Sequence, residues 1–124
     1  MNTAARILLV EDERIIALEM KLFLQRLGYQ VAASLATGEQ ALADAPAIRP
    51  DLVLMDIMLA GDLDGIETAR RLRAVLPVPV VYCTAYTDPE TMRRAQDTSP
   101  AGILTKPVNL DDLRRTIDQG LGRG

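Results

Sequence analysis

The 124-residue chain has no histidine, no tryptophan and a single cysteine. Without histidine there is no imidazole general base, no Ser–His or Cys–His nucleophile and no His-ligated zinc or iron. One cysteine excludes an internal disulfide, and Cys83 lies inside an apolar run, where a thiol serves as a small core side chain. The four aromatic residues, Phe23, Tyr29, Tyr82 and Tyr86, are few for stacking on bases or on a flavin ring. Basic residues number 14 against 17 acidic ones, a net charge of −3. No basic footprint for a duplex is present, so direct nucleic-acid binding is not expected. The longest apolar runs, such as residues 7–10 and 78–83, fall far short of the roughly 18 residues of a membrane span. The N-terminus, with one arginine and no long apolar stretch, does not read as a signal peptide, and the expected location is the cytoplasm. Any metal must be held by oxygen, which points to magnesium or calcium, with manganese as a further candidate.

What is present is ordinary for a globular domain: 48% hydrophobic and 25% charged residues. The length suits one domain spanning residues 1–124 with one core. Apolar runs alternate with amphipathic stretches. Strands are expected at residues 6–11, 30–34, 52–56, 80–84 and 101–105. The first helix is expected over 14–28, with Gly28 at its C-terminal cap. Thr37-Gly38-Glu39-Gln40 reads as a capping box opening the second, which Pro46 should end or bend. Asp64-Gly65-Ile66-Glu67 caps a third that runs to about Val75. Thr87-Asp88-Pro89-Glu90 opens a fourth, with Pro89 near its first position. Asn109, Asp111 and Asp112 give the fifth a cap and an acidic first turn. It should end near Gly120, leaving 120–124 as a frayed tail or the start of a linker.

Five strand–helix repeats with strands apolar on both faces imply a doubly wound α/β fold, a parallel sheet covered on both sides. Function in such folds sits beyond the carboxyl ends of the strands. Those ends carry Glu11-Asp12, Asp56, Thr84 and Lys106-Pro107. If the first and third strands are neighbours, their ends lie about 5 Å apart. Two carboxylates about 4 Å apart repel by about 4 kcal/mol at an effective dielectric near 20. Asn would relieve this, so retained acids suggest a cation between them, and magnesium fits. The chain has twelve arginines but two lysines. Lys21 falls mid-helix on a solvent face, whereas Lys106 follows an apolar strand. Its compact ammonium suits one carboxylate or one phosphoryl oxygen, and Thr84 adds a hydroxyl donor. Together they suit a doubly charged tetrahedral oxyanion attached to a carboxylate.

Five segments carry a resemblance over essentially the whole chain. They are Leu9-Val10-Glu11-Asp12-Glu13, Asp51-Leu52-Val53-Leu54-Met55-Asp56-Ile57, Leu59-Ala60-Gly61-Asp62-Leu63-Asp64-Gly65-Ile66-Glu67, Val80-Val81-Tyr82-Cys83-Thr84-Ala85-Tyr86 and Leu104-Thr105-Lys106-Pro107. In order and spacing they resemble the CheY-like receiver domains of bacterial two-component response regulators. The resemblance implies a flavodoxin-like sheet of strand order 2-1-3-4-5 with five helices. It implies that Asp56 accepts a phosphoryl group from a phosphohistidine on a sensor histidine kinase or histidine phosphotransferase. Glu11, Asp12, Asp56 and the main-chain carbonyl of Met58 would bind Mg2+, or Mn2+ in its place. Thr84 and Lys106 would hold phosphoryl oxygens, and Pro107 would follow a cis peptide bond. Output would pass to a downstream protein or output domain through the surface of helix 4, strand 5 and helix 5, with a homodimer also compatible. Slow hydrolysis of the acyl phosphate would then set the lifetime of the signal.

Three departures from the family pattern are visible. Glu11 stands where Asp is frequent. The loop after Asp56 has Ala60 in place of a frequent Pro and is one residue longer, so a changed loop conformation is expected. Ile103 occupies the place of a switch aromatic, and Tyr86, two residues after Thr84, is the candidate to replace it. Other readings weigh less. An aspartyl phosphatase or phosphotransferase commonly carries a second acid at the position of Met58. A flavodoxin-like cofactor binder wants a Ser/Thr/Gly-rich phosphate loop, where Glu11-Asp12-Glu13 would repel phosphate. A pseudo-receiver acting only by protein contacts would not need the acids and Lys106. Arg70-Arg71 and Arg93-Arg94 read as solvated helix faces, with docking as the sharper alternative.

Overall fold

The strands and helices alternate without exception across residues 4–123, the part of the chain that the computed structural model describes. In chain order they are β1 (Arg6–Val10), α1 (Arg14–Arg26), β2 (Gln30–Leu35), α2 (Gly38–Ile48), β3 (Leu52–Asp56), α3 (Gly65–Val75), β4 (Val80–Thr84), α4 (Pro89–Gln96), β5 (Gly102–Thr105) and α5 (Leu110–Gly120). The strands form one parallel sheet in the order β2-β1-β3-β4-β5. This is the doubly wound architecture expected.

Alternation of side chains along each strand splits the core into two layers. Leu8, Val10, Val53, Met55, Val80 and Tyr82 face one side and pack with buried residues of α2, α3 and α4. Ile7, Leu9, Leu52, Leu54, Val81 and Cys83 face the other and pack with α1 and α5. Every residue of β3 and β4 is buried, which is why both read as unbroken apolar runs.

Helix starts follow the expected caps. Thr37, Asp64, Asp88 and Asn109 each accept a backbone N–H three residues on. The reciprocal half of the α2 capping box differs: Gln40 Oε1 accepts from the amide of Ala36 at 3.1 Å, leaving Glu39 free of that task. Helix ends show two corrections. α1 stops at Arg26, because Gly28 is the left-handed residue beyond the helix, with φ 93° and its N–H bonded to Gln25 O. α2 runs past Pro46 to Ile48 and closes on a left-handed Arg49. Pro46 falls in the last turn, where its missing N–H costs one helical bond at an exposed position. β2 extends one residue further, to Leu35, which pairs with Val10. β5 begins at Gly102, one residue later than expected. Beyond α5, Gly122 is also left-handed, and Arg123 N–H reaches Asp118 O at 2.7 Å. These contacts cap the end of α5, and Gly124 lies outside the described residues. Among the described residues no helix is long and apolar enough to cross a membrane.

Candidate functional site

The carboxyl ends of β1, β3, β4 and β5 meet on one edge of the sheet. Glu11 and Asp12 follow β1, Asp56 ends β3, Thr84 ends β4 and Lys106 follows β5. Lys106 Nζ donates to Glu11 Oε1 at 2.7 Å and to Asp56 Oδ2 at 3.2 Å. Glu11, Asp12 and Asp56 each place a carboxylate oxygen within 4.8 Å of the others. The residues that the strand-end reading singled out therefore converge, although 44 positions separate Asp12 from Asp56 in the sequence.

Local structure fixes each acid. The Glu13 amide donates to Glu11 Oε2 at 3.1 Å, and the Met58 amide donates to Asp56 Oδ1 at 3.3 Å. The Ala60 amide donates to Asp12 Oδ2 at 3.1 Å. The N-terminus of α3 can pack beneath Asp56 because residue 65 is glycine: a Cβ there would lie 1.9 Å from the Asp56 carbonyl oxygen.

Charge in this space is unbalanced. Burial, then the neighbouring Glu11, push the Asp56 carboxyl up to about 6, and Lys106 offsets only part of this. Burial also works against ionised Glu11, yet the bonds from Lys106 and the Glu13 amide hold its pKa below the ordinary value. Lys106 is itself held above its ordinary value, since the Glu11 bond and the Asp56 charge outweigh burial. One ammonium serves two buried acids and sits closer to Glu11, so Asp56 is the one left under-compensated. Three carboxylates with one ammonium fit a hard divalent cation, which prefers oxygen donors and tolerates few protein ligands.

Thr84 is buried, and its hydroxyl is engaged by the following loop. It accepts from the Tyr86 amide at 2.9 Å and donates to the Tyr86 carbonyl at 3.3 Å. Tyr86 is 53% exposed and Met58 50% exposed. With Asp12, Asp56 and Lys106 these two line a cleft of about 390 Å³. Ile103 is partly buried against the core layer beneath α4. The Lys106–Pro107 peptide is cis. Full burial pushes the Cys83 thiol up to about 12, as suits an inert core residue.

Some contacts around the site had no signal in the sequence. Arg94 of α4 pairs with Asp64, the cap of α3, at 2.9 Å, whereas Arg93 pairs locally with Glu90 of α4 and with Asp97 at its C-terminal cap. Arg70 and Arg71 pair with Glu67 on an exposed face. The Asp62 amide donates to Glu39 of α2 at 3.2 Å. Each long-range contact depends on the path of a loop, which no local pattern encodes.

Fold and strand-end cluster together define a flavodoxin-like α/β domain with an acidic site at the carboxyl edge of its sheet. The family model described as the response regulator receiver domain matches residues 7–118, and the chain belongs to that family. The signal receiver domain of a modulated diguanylate cyclase from Desulfovibrio desulfuricans G20 is 42% identical, with a TM-score of 0.92 over 98% of this chain and 96% of that one. The transcriptional regulatory protein PdtaR of Mycobacterium tuberculosis is 30% identical over 118 residues, 95% of this chain and 57% of PdtaR. The phyllosphere-induced regulator PhyR of Methylorubrum extorquens is 33% identical over 97% of this chain and 45% of PhyR. The chain thus spans about half the length of these curated relatives. Members of the family are signalling modules of two-component systems, generally not enzymes, that work with sensor kinases and output domains.

Proposed function

We propose that the chain is the phosphoacceptor of a two-component relay, with Asp56 the residue that receives the phosphoryl group. The observation that carries this is the convergence of Glu11, Asp12 and Asp56 opposite the lone ammonium of Lys106. The donor, as membership of the receiver family suggests, is a phosphohistidine on a sensor histidine kinase or a histidine phosphotransferase. An Asp56 oxygen attacks phosphorus, an O–P bond forms, and the P–N bond breaks with its electron pair passing to the imidazole. Glu11, Asp12, Asp56 and the Met58 carbonyl are the residues that would hold Mg2+, or Mn2+ in its place. When bound, the ion neutralises the carboxylates and the oxygens of the transferred group.

The chain's own residues do the rest. The Met58 amide orients the Asp56 carboxylate, and Lys106 counters charge on a phosphoryl oxygen. The Thr84 hydroxyl bonds another oxygen by giving up its contact with the Tyr86 carbonyl, which couples the loop and the Tyr86 ring to phosphorylation. Tyr86 then serves as the mobile ring that Ile103 does not supply. Met58 offers a thioether where a phosphatase would place an acid, which favours slow hydrolysis and a lasting signal. Output passes through the α4–β5–α5 surface to a downstream protein or output domain, with a homodimer compatible. We place the reaction in the cytoplasm, without direct contact of this acidic domain with nucleic acid. Incubation with Mg2+ and acetyl phosphate should label the wild type and leave Asp56→Asn unlabelled. Equal labelling of the variant would overturn the assignment.

A further inference from the structure

The segment between β3 and α3 runs from the acid cluster to the N-terminus of α2, and three contacts hold it there. The Ala60 amide donates to Asp12 Oδ2 at 3.1 Å. Ala60 also forms an isolated parallel bridge with Thr37, the cap of α2. Two residues on, the Asp62 amide donates to Glu39 Oε2 at 3.2 Å. Between these points Gly61 has φ 95°, and a Cβ on it would lie 3.0 Å from the same Glu39 oxygen. The carboxylate therefore closes over the loop tip at a place where glycine leaves room. Glu39 is free to do so because Gln40, not Glu39, bonds back to the start of α2.

The loop in turn touches the site twice. Its Ala60 amide fixes one oxygen of Asp12, and its first part carries the Met58 backbone, whose amide bonds Asp56. We propose that Glu39 is a positioning residue for the metal site: from α2 it anchors the loop that aims Asp12 and the Met58 backbone. This rests on the magnesium reading above. Glu39 is not among the residues that would hold the ion or the phosphoryl group; its carboxylate bonds the loop at the Asp62 amide. It acts as outer contacts of a metal ligand do, by limiting the arrangements the ligands can take. A merely structural alternative exists. Glu39 sits in the first turn of α2, where a negative charge favours the helix dipole. That role would affect helix stability and leave ion affinity alone.

The test compares wild type, Glu39→Ala and Glu39→Gln by Mg2+ calorimetry and by amide hydrogen exchange of the metal-free proteins. Glu39→Ala should raise the Mg2+ dissociation constant about three- to tenfold, at or below the usual range for outer contacts because Glu39 is exposed. It should also speed exchange of the Asp62 amide. Glu39→Gln keeps an acceptor oxygen without the charge, and should restore both readouts to near wild type. If Glu39→Gln weakens binding as much as Glu39→Ala, charge alone acts and the positioning role is wrong. Unchanged Mg2+ affinity in Glu39→Ala, with or without a less stable α2, overturns it as well. Failure of the wild type to bind Mg2+ is a different result: it removes the metal site itself, and the role of Glu39 with it.

Discussion

Replacing Asp56 by Asn should make the metal-free protein more stable, although it abolishes the proposed function. Asp56 is buried beside Glu11, and its carboxyl is pushed from 3.8 up to about 6. At about 1.4 kcal/mol per pH unit, keeping it ionised in the folded chain costs up to about 3 kcal/mol relative to the unfolded chain. The folded state holds this proton more tightly than the unfolded state does. Asp56 therefore favours folding most at low pH, and that contribution is lost as pH rises through about 6. Asn is close to the neutral acid in shape. In EDTA at about pH 7.5, Asp56→Asn should exceed wild type by about 1–3 kcal/mol in urea denaturation. Near pH 5, where wild-type Asp56 is largely protonated in the folded state, the gap should fall to roughly half. Saturating Mg2+ should narrow or reverse it, because an ion that binds the folded state stabilises it and the variant has lost a ligand. A variant no more stable than wild type at pH 7.5 in EDTA, or a gap that widens on acidification, would refute this account of the site's charge.

The other expectations concern the surroundings. Mg2+ should raise the thermal midpoint of wild type at neutral pH and raise it less near pH 5, where protons compete for Asp56; a pH-independent shift would contradict carboxylate ligation. Gly65→Ala places a Cβ 1.9 Å from the Asp56 carbonyl oxygen and 2.9 Å from Ile57 Cα. It should cost about 3 kcal/mol in urea denaturation and slow phosphorylation by displacing Asp56, whereas a neutral result would disprove the close approach. Cys83, buried with its thiol pushed up to about 12, should react with a thiol reagent only as fast as the protein opens. Rapid modification of the native protein would show that the strand end is exposed.

The parts of the fold that could be read in the sequence are those dictated locally. β3 and β4 were legible because burial on both faces leaves unbroken apolar runs. Helix starts were legible because Asp64, Asp88 and Asn109 satisfy amides that nothing else reaches. The end of α2 was not, since Pro46 stops a helix only where it removes bonds the helix needs, and in the last turn it removes few. Strand order came with the family resemblance, because apolar runs alone do not say which strands pair. At the site, Asp12, Asp56 and Lys106 could be singled out from their places at strand ends. The bonds from Ala60 to Asp12, Asp62 to Glu39 and Arg94 to Asp64 span 48, 23 and 30 residues, and only the folded loop brings them together. The engagement of the Thr84 hydroxyl by Tyr86 was hidden for another reason: a threonine ending a strand looks the same whether or not its hydroxyl is spoken for.

The most direct test is transfer from a phosphorylated histidine phosphotransferase to this chain, with Mg2+ or with EDTA, followed by peptide mapping of the product. The phosphoryl group should be found on Asp56 and nowhere else, and only in the sample that contains the ion. Modification at another residue, or equal modification of Asp56 in EDTA, would contradict the account.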